Sequence, residues 1–208
     1  MGADEILNLL DFSKWSVLIE ILSKQTEPVV LDGVLEGFEQ IGFEPPPNML
    51  NLVNEKAVTF AQNRAAELVG KRLVNGIIID NPNPIWSIPE STRDMLRGLV
   101  TEAMEQGLSG KALANRIREE YAFSEARAEM IARTECAFAD AHGNFLSYVE
   151  SGVVTGKRSV LSNNENHGAD DIANAAQGVI PLMQAFQSGH MTAPFHPRCQ
   201  WDVLPEVD

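Results

Sequence analysis

The residues best equipped for chemistry lie near the end of the chain. His196, Pro197 and Cys199 stand together in "PFHPRCQWDVL" (194–204), with His167 and His190 upstream. Imidazole and thiolate are zinc ligands, and a zinc site wants four such donors in tetrahedral array, usually with a paired spacing such as C-x-x-C. Neither that pair nor H-x-x-x-H occurs. A site built from His167, His190, His196 and Cys199 therefore requires the loops between them to converge. The spacing favours His196 and Cys199 as half-buried packing residues, since cysteine is among the most buried residue types. A Cys–His nucleophile pair needs a third, orienting group, and nothing in the sequence supplies one. Glu165, Asp170 and Asp171 suit acid–base work, cation binding or a solvated loop. A metal-dependent hydrolase or nuclease using His167, Asp170, His190 and His196 is the rival reading. "LVGKRLVNG" (68–76) lacks the glycine spacing of a phosphate loop. The expectation is no catalytic residue, no metal and no cofactor.

Composition bounds the classes. The chain has 208 residues and 44% apolar content, which suits one or two globular domains. No apolar run approaches the roughly 20 residues that span a bilayer, so no membrane partner is expected. "MGADEILNLLDF" has no basic region and is not a secretory signal. The net charge of −13 argues against a broad DNA-binding face. Lys111, Arg116, Arg118, Arg127 and Arg133 are interleaved with Glu119, Glu120, Glu125, Glu129 and Glu135, which reads as a solvated helical surface. Two cysteines, Cys136 and Cys199, do not make a disulfide framework, and a reduced setting is the simpler expectation.

The elements that must position these residues change character along the chain. The first half reads helical: "ADEILNLLDFSKWSVLIEILSK" (3–24) carries a broad apolar stripe. "VVLDGVLEGFEQIGF" follows, loosened by Gly33 and Gly37. "FEPPPNML" (43–50) is a break, after which Asn48 is expected to cap a long helix. Residues 74–90 read as a loop or a short extended piece. "STRDMLRGLVTEAMEQG" is an amphipathic helix stopped at Gly107, and "LSGKALANRIREEY" is a second. The pair resembles a helix–turn–helix hairpin but lacks a basic recognition face. Ser124 then caps a helix of about 40 Å that ends at Gly152. "VVTGKRSVL" is strand-like. "NNENHGADDIANAAQG" reads as a loop with one helical turn. "VIPL" is a short strand, and "CQWDVL" alternates like another. The expected fold class is α+β. A mainly helical N-terminal region of long helices (1–123) is followed by a small α+β unit with a few short strands (124–208). Phe43 to Pro47 and residues 74–90 are expected as flexible joints.

On the long helix, "ARTE" (132–135) places Arg133 and Glu135 two apart, on different sides. The expectation is that one of them fastens the small unit to the helix.

Four segments taken in order resemble a known family. "RAEMIARTECAFADAHGN", "SGVVTGKRSVLS", "GVIPLMQAFQSG" and "PFHPRCQWDVLP" are similar to the phage Mu F-like head morphogenesis family, the minor head proteins of tailed phages. The shared features are an A-R-T-E helix, a strand opening with a lysine, a V-x-P segment and a closing H-P-x-C. Arg133, Thr134, Glu135, Lys157, Pro181, His196, Pro197 and Cys199 are the matching positions, and the resemblance implies a structural role for them. Many relatives end H-P-x-C-x-C, whereas Trp201 stands at the second cysteine position here. Asn174 stands where many relatives carry Cys or His. The resemblance implies a non-enzymatic virion component at the head interior and portal vertex, present in the host cytoplasm during assembly. It would act in head morphogenesis, genome packaging or ejection. The implied partners are the portal protein, the major capsid or scaffolding protein and, more weakly, packaged DNA. The apolar stripes of the first half are the expected contact surface.

Overall fold

The computed structural model describes residues 18–107, 112, 115, 116, 119, 124–160 and 167–207. The expected helix over 3–24 falls largely outside these residues, as does most of the expected helix over 108–121, with Lys111 and Arg118. Among the described residues there are five helices and two small antiparallel sheets, an α+β fold with a helical body. No helix among them is long and apolar enough to cross a membrane.

Contacts divide the chain into two compact units, each made of two stretches: 1–23 with 62–129, and 24–61 with 130–208. This differs from the division at 123/124 expected from the change in sequence character. Long helices carry the chain from one unit into the other, so composition does not mark the boundary.

In the second unit the organising contact is between two helices. Helix α1 (Leu18–Gln40) runs unbroken through Pro28, Gly33 and Gly37, where the sequence suggested two loosely joined pieces. Gly33 and Gly37 are four apart and therefore share a face. Their missing side chains let α4 (Glu125–Ser151) approach: a Cβ on Gly33 would lie 2.3 Å from the Asp140 carbonyl oxygen. Beside this seam Val30, Val34, Phe38, Val53, Ala57, Ala61 and Ala139 form a core in which none is more than 2% exposed. Helix α2 (Pro47–Leu68) supplies three of them. It starts on Pro47, whose missing N–H is one the first turn does not need. Asn48 lies inside this helix rather than capping it, and the first bonds run from the amides of Met49 and Leu50 to the Pro46 carbonyl.

In the first unit Ile19, Ala65, Ala66 and Val69 are buried together, with Leu22 and Leu73 against them. Strands β1 (Lys71–Val74) and β2 (Ile77–Asp80) form a hairpin within the stretch expected as a loop or extended piece. Asn75 and Gly76 make its two-residue turn, both with positive φ, as a type I′ turn demands. Helix α3 (Ile88–Glu105) is capped by Ser87, and Gly107 follows it at φ +63. The amide of Arg127 bonds to Ser124 Oγ, the expected cap of α4. The buried Arg127 guanidinium donates to Thr92 Oγ1 and Ser91 Oγ, both at 2.8 Å.

The closing part of the second unit is a three-stranded sheet in the order β4-β3-β5, all antiparallel. Gly152 (φ +69) ends α4, β3 (Val154–Val160) follows, and β4 (Ile180–Pro181) and β5 (Asp202–Val207) flank it. Helix α5 (Ala169–Ala176) is longer than the single turn expected there. The last strand begins at Asp202, not at Cys199. Residues 196–199 instead form a turn, with the Cys199 amide bonded to the His196 carbonyl. Ile180, Phe186, Ala193, Phe195, Trp201 and Val203 close the core of this part.

Candidate functional site

Asp171, His196 and Cys199 are the chemically active side chains that the second unit brings together. Asp171 is the third residue of α5 and is fully buried. Its Oδ2 reaches back to accept the Gly168 amide at 2.8 Å, which satisfies one of the orphan donors of the helix start. The same oxygen stands 2.8 Å from Nε2 of His196. On the other side of the ring, Nδ1 is 2.9 Å from the Pro197 carbonyl oxygen. Both partners of the imidazole are acceptors, so the ring satisfies both by carrying two protons. Burial pulls the His196 pKa down, but the hydrogen bonds to Pro197 and Asp171 and the charges of Asp171 and Asp170 outweigh it, and the pKa is raised.

Cys199 Sγ lies 3.9 Å from Asp171 Oδ1. Burial raises its thiol pKa above the ordinary value. With both ring nitrogens of His196 engaged elsewhere, this arrangement does not activate Cys199 as a nucleophile. It is a charged clamp that ties the turn before β5 to the start of α5.

The zinc set of the sequence reading is not the one assembled. Cys199 and His196 are together, but His167 packs edge-on against Trp201 and has a buried Nδ1 with no partner. His190 bonds Ser188 Oγ through Nδ1 at 3.2 Å. The one group of three ligand-type side chains found among the described residues is Asp171, His196 and Cys199, whose ligand atoms all lie within 4.8 Å of one another. The hydrolase set fails for the same reason: Asp170 is exposed, one position from the buried Asp171 that holds the histidine.

The other motif residues are fastenings as well. Lys157 on β3 is fully buried, donates to the Met191 carbonyl at 2.6 Å and lies near the rings of Phe145 and Phe186. Burial lowers its pKa to about 8. Thr134 links the long helix to the closing turn: its Oγ1 accepts the Arg198 amide at 3.2 Å. Glu135 is buried, whereas Arg133 is exposed. Pro181 pairs with Gly156 on the edge strand β4, where a missing amide donor is tolerated.

Asn174, a departure from the resembled motif, is fully buried and makes two bonds. Its Nδ2 donates to Ser188 Oγ at 2.9 Å, and its Oδ1 accepts the Ser188 amide at 3.1 Å. The spacing of Asp171 and Asn174 on one face of a short helix was the signal available for both. No protein-family model, no curated protein and no solved structure matches the chain.

Proposed function

We infer that this protein is a tailed-phage minor head protein of the Mu F-like kind, without enzymatic activity, which associates with the portal vertex during head morphogenesis, genome packaging or ejection. The observation that carries the reading is the order of four motif segments along the chain. Three of their positions fasten the closing segment: Thr134 and Lys157 bond the Arg198 amide and the Met191 carbonyl, and His196 bonds Asp171 of α5. The hydrolase reading is weakened because, among the described residues, His196 groups with Asp171 and Cys199 and not with His167, Asp170 or His190.

The surface offers groups for a partner. Leu35 and Leu52 in the second unit, and Ile77, Ile78 and Ile85 in the first, are each at least 45% exposed. Side chains of this size left in water suit burial against another protein. The portal protein is the proposed partner, with the major capsid or scaffolding protein second.

The test is co-expression of the tagged chain with the portal and major capsid proteins of the same phage, followed by affinity capture. The expected result is retention of the portal protein at high salt. Loss of retention in L35D/L52D would place the contact on the second unit. Capture of neither head protein would overturn the reading.

A further inference from the structure

We propose that Asp171, His196 and Cys199 bind one zinc ion, which fastens the closing turn to helix α5 in place of the hydrogen-bonded clamp. The donors come from two segments far apart in the chain and converge within 4.8 Å. Zinc with nitrogen or oxygen at about 2.0–2.1 Å and sulfur at about 2.3 Å in a tetrahedron separates N from O by about 3.3 Å and S from O by about 3.5 Å. The separations here are 2.8 Å for His196 Nε2 to Asp171 Oδ2 and 3.9 Å for Cys199 Sγ to Asp171 Oδ1. The ligand atoms, up to 4.8 Å apart, must close by about 1 Å to reach the tetrahedral separations of about 3.3–3.5 Å, a movement within the reach of side-chain rotation.

The surroundings already have the form that zinc ligation uses. A ligating histidine typically donates its second ring N–H to a carbonyl or carboxylate, which fixes the ring and presents the other nitrogen to the metal. His196 has that partner in the Pro197 carbonyl at 2.9 Å. Gly168 has an ordinary backbone conformation, φ −72 and ψ 163, so no strain calls for glycine there. A Cβ at this position would stand 3.3 Å from Asp171 Oδ2 and 3.5 Å from His196 Nε2. The glycine keeps the space beside these two ligand atoms clear.

Charge balances with the metal in place. Zinc brings two positive charges, the Sγ and Nε2 protons leave to solvent, and the site of carboxylate, thiolate, neutral imidazole and Zn²⁺ is neutral. No redox step is involved. A thiolate with an imidazole selects zinc over magnesium or calcium. Three protein ligands leave the fourth position to water, which the partly exposed edge of His196 admits.

This inference does not depend on the proposed head role, and failure of the portal capture would leave it standing. The test uses the full chain, stripped with chelator and titrated with Co²⁺ and then Zn²⁺. The expected result is one cobalt per chain, bound with release of protons and with a thiolate-to-cobalt charge-transfer band, and displaced by one equivalent of zinc without further proton release. C199S should abolish the band and weaken zinc binding by about 100-fold or more, since loss of even an outer partner costs about 10–100-fold. C136S, which alters the exposed cysteine, should leave both unchanged. If C199S folds poorly, one equivalent of zinc should still protect Cys199 of the unaltered chain from alkylation while Cys136 is labelled. No charge-transfer band, zinc binding undiminished in C199S, or no protection would overturn the proposal.

Discussion

Replacing Gly143 by alanine tests whether the α1–α4 seam holds the second unit together. The new Cβ would lie 2.2 Å from the Val30 carbonyl oxygen, 2.7 Å from the Val34 amide nitrogen and 2.9 Å from the Gly33 carbonyl carbon. All three are backbone atoms of α1 and cannot rotate aside. Bringing the shortest contact to an ordinary distance moves the helices apart by about 1 Å at their crossing, and a gap of that size forfeits roughly a quarter to a half of each dispersion contact across it. The contacts of Val30, Val34 and Phe38 with Ala139 are the ones at stake. Overpacking of this kind costs about 1–3 kcal/mol and at times more, and with unrelieved backbone contact the upper end applies. Alanine returns about 1 kcal/mol of helix propensity. The expected net loss is about 2 kcal/mol, read as a lower urea midpoint at unchanged slope. Gly98→Ala is the control: nothing lies within 4 Å of a Cβ there. It should gain about 0.5–1 kcal/mol. If G143A proves as stabilising as G98A, the seam is not close-packed and the account of α1 is wrong.

Three further outcomes are expected. The Lys157 pKa is about 8 when folded and 10.5 in its ordinary state, so between these values the unfolded chain binds the extra proton and stability rises with pH. The gain approaches about 3 kcal/mol at most, and K157M should flatten it in urea melts from pH 7.5 to 9.5. Burial, then the charges of Glu36, Asp202 and Asp32, raise the Asp140 pKa to about 6. Its folded pKa lies above the unfolded one, so stability should increase as pH falls from about 6 to 4, by about 1–2 kcal/mol after solvent screening. D140N should be the more stable form at pH 7 and should lack that slope. Thr134→Val keeps the shape but leaves the Arg198 amide without its partner. It should cost about 1–2 kcal/mol, seen as faster hydrogen exchange at the Arg198 amide.

The ends of α4 were readable because their signals are local. Ser124 and Gly152 bracket α4 because a cap acts within one turn of the residue that makes it. The hairpin was only half readable. "VNG" carries the Asn-Gly turn signal, but three exposed isoleucines in β2 show none of the alternation that marks a half-buried strand. The continuity of α1 was hidden for a different reason. Gly33 and Gly37 weaken a helix in isolation and strengthen it only through the partner that they admit.

The candidate site divides in the same way. By itself the sequence determined the α+β class, the ends of α4 at Ser124 and Gly152 and the acidic balance, because these follow from residue type and short-range pattern. Only the tertiary structure decided the partners of His196 and Thr134. Asp171 meets His196 across 25 residues, and Thr134 meets Arg198 across 64. Asp170 and Asp171 are equivalent in composition, yet one turns to solvent and the other into the core. The 100° step between neighbours on α5 separates them, and which side of that helix faces the closing turn is set by packing of the whole unit.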